Sequence, residues 1–123
     1  MKKSPDQSSR PNFATRETRD GEVIVIETPQ FIDLQSAAPL RAILADLVAQ
    51  GKVRVVVDLS DTEYIDSIGL GALVSRIAVM RSGGGDLRLA NPTVPTQKIL
   101  ELTNLTRIIN TFEDVNSAVD SFE

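Results

Sequence analysis

A run of β-branched residues constrains this chain more than any other feature. Val53-Arg54-Val55-Val56-Val57-Asp58-Leu59 reads as a strand buried on both faces. A polar turn follows, and Asp66-Ser67 then stands directly before an apolar-periodic stretch. Leu70, Leu73, Val74 and Ile77 fall at i, i+3, i+4 and i+7, so the spacing predicts a helix from Ser67 to about Arg81. Gly69 and Gly71 are poor helix formers in its first turn. Their expected use is to let another backbone approach closely. The serine hydroxyl is thereby presented at the positive end of a helix dipole, behind a buried strand.

Around this unit the chain supplies further elements in order. Phe13 to Arg19 and Val23 to Ile26 flank Asp20-Gly21, a hairpin signal, so the domain is expected to start with an antiparallel pair. Thr28-Pro29-Gln30 ends it. A helix follows Phe31-Ile32-Asp33, with Ser36 as candidate N-cap and Pro39 in the first turn. Leu40, Ile43, Leu44, Leu47 and Val48 form its core face, and Gly51 stops it. After the serine helix, Ser82-Gly83-Gly84-Gly85 reads as a flexible break before a strand at Leu87 to Ala90. Asn91-Pro92 makes a turn, and a short helix from about Pro95 carries Ile99, Leu100 and Leu102. Asn104 suits a left-handed cap with Leu105 behind it. Arg107 to Asn110 reads as a last strand, and Asp114 as the cap of a helix burying Val115, Ala118, Val119 and Phe122. Successive strand–helix–strand units demand right-handed crossovers. The fold class is therefore α/β, a mixed, mainly parallel five-stranded sheet with about four helices. No internal repeat is visible. Residues 1–12 read as a polar, disordered tail and 13–123 as a single domain.

What the 123 residues lack excludes several activities. With no Cys and no His there is no thiol nucleophile, no disulfide, none of the usual zinc sites and no Ser–His pair. A net charge of −4 gives no electrostatic case for nucleic acid. No apolar run approaches the ~20 residues of a membrane helix, and Met1 to Ser9 has no apolar core of a signal peptide. A cytoplasmic, non-enzymatic protein without cofactor, metal, membrane or nucleic-acid partner is expected.

Several residues carry candidate chemistry. Ser67 is either a phosphoacceptor, where phosphate adds nearly two negative charges and three acceptor oxygens, or part of a helix cap with Asp66. Asp58, at the end of a buried strand, is either a phosphoryl-accepting carboxylate or a turn former; no lysine follows a later strand to support the first reading. The glycine run matches neither the Walker pattern nor the dinucleotide fingerprint, which leaves a nucleotide-binding or hydrolytic domain little support. Asp61, Glu63 and Asp66 lack regular cation-ligand spacing. Tyr64 and Ile65 lead into the serine and make either an exposed recognition patch or, for Ile65, a core anchor.

The order of elements and the string Asp66-Ser67-Ile68-Gly69-Leu70-Gly71, preceded by Val55-Val56-Val57-Asp58-Leu59-Ser60 and Tyr64-Ile65, resemble the STAS domain, and among STAS domains the bacterial anti-sigma factor antagonists. The resemblance runs from about Phe13 to Phe122 and includes Ala38-Pro39-Leu40-Arg41. It departs at Pro29-Gln30-Phe31-Ile32, where the family carries a Gly, and at Asn104-Leu105, where it has Gly-Leu. The resemblance implies that an anti-sigma factor with serine kinase activity phosphorylates Ser67, that only the unphosphorylated protein binds it and frees the sigma factor, and that a phosphatase resets the switch. It implies a partner surface of Asp33, Tyr64, Ile65, Asp66, Ser67, Ile68, Gly69 and Leu70. The alternative is a STAS scaffold or accessory subunit of a stress-signalling or lipid-transport complex, in which Ser67 only caps. Oligomeric state, monomer or weak dimer, is left open.

Overall fold

In the computed structural model, which describes residues 13–122, Ala14–Thr18 (β1) and Val23–Glu27 (β2) form the expected antiparallel hairpin. The expected tail, residues 1–12, lies outside the described residues. The chain reverses through Arg19 and Asp20, both at positive φ, with Gly21 behind them. Arg54–Asp58 (β4) then pairs parallel with β2, Asp86–Ala90 (β6) with β4, and Thr111–Phe112 (β7) with β6, giving the order β1-β2-β4-β6-β7. Phe31–Ile32 (β3) and Tyr64–Ile65 (β5) pair separately as a two-stranded parallel ribbon.

The double burial of the central strands follows from their alternation. Ile24, Ile26, Val55, Val57, Leu87 and Leu89 point into the larger core. That core is filled from the helix side by Leu40, Leu44, Leu47, Leu73, Ile77, Met80 and Leu100. Val23, Val25, Val56 and Ala90 point the other way, onto Ala118 and Val119.

The helices are Leu34–Ala49 (α1), Ser67–Val74 (α2), Ile77–Ser82 (α3), Val94–Leu102 (α4) and Val115–Asp120 (α5). Four details differ from the sequence reading. Asp33, and not Ser36, caps α1. Its carboxylate accepts from the Gln35 N–H at 3.0 Å, while the Ser36 hydroxyl accepts the Asp33 N–H at 2.8 Å, a capping box that places Pro39 inside the helix. The helix expected from Ser67 to Arg81 is interrupted at Ser75-Arg76, where the Ser75 hydroxyl donates back to the Ala72 carbonyl at 2.7 Å. Residues 105–107 form a 3-10 turn after the left-handed Asn104, so the last strand moves from 107–110 to Thr111–Phe112. Gly85 is no linker: a Cβ there would stand 1.9 Å from the Val53 carbonyl oxygen.

Candidate functional site

The ribbon of β3 and β5 brings together what the chain separates. Phe31 faces Tyr64 and Ile32 faces Ile65, so Asp33 and Asp66, next in each segment, arrive side by side. Phe31-Ile32-Asp33 and Tyr64-Ile65-Asp66 are two copies of one short pattern, aromatic-Ile-Asp, which the sequence reading missed in finding no repeat. In each copy the aromatic ring is half exposed, the isoleucine is buried in the core, and the aspartate caps a helix. Alternation along a strand accounts for the first two roles, and a short side-chain acceptor before a helix accounts for the third. Of the two readings of Tyr64-Ile65, the core anchor describes Ile65 and the exposed ring describes Tyr64.

Two helix N-termini therefore open at the carboxyl edge of the sheet. The Asp66 N–H donates to the Ile32 carbonyl at 3.2 Å, and the Asp66 carboxylate accepts the Gly69 N–H at 2.8 Å. A Cβ on Gly69 would lie 2.1 Å from that same Ile32 oxygen, so its expected role in close backbone approach holds. Gly71 faces no backbone; a Cβ there would meet the Arg41 guanidinium Nη2 at 3.3 Å. Gly69 thus shapes the tip from beneath, and Leu70 is half-buried against the core.

Asp66 does the capping, which leaves Ser67 at the first helical position. Ser67 is exposed, and its hydroxyl takes no hydrogen-bond partner among the described residues. Beside it Ile68 is 43% exposed, and across the ribbon Leu34 is 70% exposed, next to Phe31 and Tyr64 at 49% each. Four apolar side chains thus stand in water around one hydroxyl and two engaged carboxylates. In the sequence, Phe31 is marked only by the aromatic-Ile-Asp repeat, and Leu34 carries no signal of its own.

The loop that carries this tip is held by threonines. The Thr62 hydroxyl, fully buried, lies 2.6 Å from the Thr28 hydroxyl and 2.6 Å from the Pro29 carbonyl. The Thr62 carbonyl accepts from Thr93 Oγ1 at 2.6 Å and Thr96 Oγ1 at 2.9 Å, at the start of α4. Thr62→Val keeps the shape and strands the partners, so it is expected to lower stability by about 1–2 kcal/mol. Urea unfolding of Thr62→Val beside Thr62→Ser checks this, because serine keeps the hydroxyl; an unchanged valine midpoint would contradict it.

The remaining candidates separate from this tip. The Asp58 carboxylate accepts the Ser60 N–H at 3.0 Å, which is a turn-forming role. Asp61 and Glu63 line an open cleft with Glu27, Pro29 and Gln30. Among the described residues no group of three or more acidic side chains is placed to hold a metal ion, and no helix is long and apolar enough to cross a membrane.

Comparison with known proteins fits this geometry. The STAS domain family model matches residues 14–118. The anti-sigma-B factor antagonist of Bacillus subtilis is 35% identical over 79 residues, covering 64% of this chain and 72% of that protein. An anti-sigma factor antagonist from Mycobacterium paratuberculosis superposes with a TM-score of 0.81 at 21% identity, covering 98% of each chain. SpoIIAA, an anti-sigma factor antagonist solved in its unphosphorylated form, superposes with a TM-score of 0.76 at 20% identity, covering 89% of this chain and 95% of that one.

Proposed function

Because the chain belongs to the STAS domain family, we propose that it is an anti-sigma factor antagonist that acts as a phosphorylation-controlled binding switch. The partner is an anti-sigma factor with serine kinase activity, and the protein supplies a docking tip and a phosphoacceptor, not a catalytic centre. The carrying observation is Ser67 itself: exposed, at the first position of α2, and relieved of capping by Asp66. The exposed Phe31, Leu34, Tyr64 and Ile68 around it supply the apolar surface that a partner covers. Asp33, Asp66, Gly69, Leu70 and Ile65 hold that surface in place. The names of the relatives, which concern anti-sigma factors in each case, support the same reading.

In the transfer step the Ser67 hydroxyl oxygen bonds to the γ-phosphorus of a nucleoside triphosphate held by the partner. The phosphoanhydride bond breaks, the nucleoside diphosphate leaves, and the hydroxyl proton passes to a base on the partner. The helix end tolerates the product, because free N–H groups and the dipole favour an anion. A partner face closed over a neutral hydroxyl does not, since it must desolvate the new charge. A serine phosphatase returns the tip to its binding form.

Calorimetry with the cognate anti-sigma kinase tests the switch. Ser67→Ala is expected to bind within about threefold of wild type, and Ser67→Asp about tenfold or more weakly, a difference of ~1.4 kcal/mol. Equal affinity of Ser67→Asp and wild type would remove the charge argument.

A further inference from the structure

We propose that Arg41 is the counter-charge of the phosphorylated tip: its guanidinium, lying in the groove between α1 and α2 over Gly71, ion-pairs with a phosphoryl group on Ser67. This rests on Ser67 being the phosphoacceptor. Ser67 and Gly71 are four residues apart on α2 and share one face, with β-carbon positions about 5–6 Å from each other. The Arg41 Nη2 is 3.3 Å from the β-carbon position of Gly71. A glycine at 71 leaves room there for the guanidinium. The Ser67 side chain tilts toward the start of α2, away from Gly71. Arg41 tilts the same way along α1, toward Asp33, which the ribbon sets beside Asp66.

Charge accounting points the same way. Arg16, Arg19, Lys52, Arg81 and Arg88 each meet a carboxylate, whereas Arg41, like Arg54, Arg76, Lys98 and Arg107, meets none among the described residues; of these, Arg41 is the one placed against α2. The two carboxylates of the tip are turned inward: Asp33 onto the Gln35 N–H and Asp66 onto the Gly69 N–H. Arg41 is thus an exposed cation one helical turn from a modifiable hydroxyl, with no carboxylate engaged on it among the described residues. A guanidinium presents paired donors that match phosphate oxygens. On phosphorylation the pair would span the groove between the two helices and alter the docking face by side-chain movement alone.

The test is a 31P NMR titration of the full chain with phosphoserine placed at position 67 by genetic-code expansion. The second phosphate ionisation, ordinarily near pH ~6, is expected about half a unit lower in wild type than in Arg41→Gln, with Arg41→Lys between. Both variants alter an exposed side chain, and matched amide spectra confirm that each is folded. An equal or higher value in wild type than in Arg41→Gln overturns the pairing. Since no kinase is used, this outcome is separate from the switch: failure of the anti-sigma partner to phosphorylate Ser67 would overturn the switch and leave the ion pair measured as it is.

Discussion

Gly69→Ala is expected to destabilise the protein by about 2–3 kcal/mol, against the sign that helix propensity alone gives. Alanine in place of glycine in a helix gains ~1 kcal/mol. Here the added carbon meets the Ile32 carbonyl oxygen at 2.1 Å and its carbon at 2.7 Å. Both are backbone atoms of the ribbon, so no side-chain rotation relieves the overlap; either α2 lifts away or β3 shifts. Overpacking of this kind costs typically 1–3 kcal/mol and occasionally more, which outweighs the helix gain. Gly71→Ala is the matched control. Its carbon meets only the end of Arg41, a flexible group at 3.3 Å, so it is expected between neutral and about 1 kcal/mol more stable. Urea unfolding of the two variants decides the matter. Stabilisation of both would mean that propensity governs the tip and that the contact with Ile32 is soft. Partner binding by Gly69→Ala should weaken as well, because Ser67 and Ile68 ride on the same first turn.

Much of this architecture was legible in the sequence, and the reasons for the exceptions are physical. Val53 to Leu59 declared a doubly buried strand because β-branched residues on both faces have few other uses, and Val55, Val56 and Val57 are indeed fully buried. Asp66 and Asp114 were visible as caps because a short acceptor before an apolar period has a local function. Ser36 misled because a serine three positions into a helix looks like the cap it only completes. The strand expected at 107–110 failed for a different reason: Asn104 adopts the left-handed conformation, the chain tightens into a 3-10 turn, and Ile109 reaches the core from there while Ile108 stays exposed. At the site, Ser67 and its chain neighbours Tyr64 and Ile68 could be named from sequence, but Phe31 and Leu34 could not. Phe31 and Leu34 lie more than thirty positions away along the chain and meet the serine only through the β3–β5 pairing, a two-residue ribbon too short to have a periodicity. The repeated aromatic-Ile-Asp triplet was the available clue.

Removing the charge of Asp86 is expected to cost about 2–3 kcal/mol at pH 7 and progressively less in acid. Asp86 opens β6 at the amino end of the sheet, opposite the Ser67 tip, and only 8% of its side chain is exposed. It accepts from Arg81 Nε at 2.8 Å, Arg88 Nε at 3.0 Å and the Leu87 N–H at 2.9 Å. Burial alone would raise its pKa, but the hydrogen bonds from Arg81, Arg88 and Leu87 and the charge of Arg81 outweigh burial and hold it below its ordinary value. The aspartate also aims both arginines. Arg81 reaches the Ile108 carbonyl at 2.6 Å, while Arg88 reaches the Ser121 carbonyl at 2.7 Å and lies 4.1 Å over the Phe122 ring. One carboxylate thus fastens the 3-10 segment and the end of α5, the helix that covers the second face of the sheet. Asp86→Asn leaves two arginines without their anion, the usual penalty of breaking a buried pair, moderated because Arg81 is 41% exposed. A depressed folded pKa means that this stabilisation is complete above the unfolded carboxylate value near pH ~3.9 and is lost as pH falls through the lower folded value. Urea midpoints of wild type and Asp86→Asn should therefore stay apart from pH 8 to 5 and converge in stronger acid. A gap that persists unchanged to pH 2.5 would show that packing, and not charge, is what Asp86 contributes. Partner affinity measured on folded protein at pH 7 should be unchanged in Asp86→Asn, because the staple and the tip sit at opposite ends of the strands.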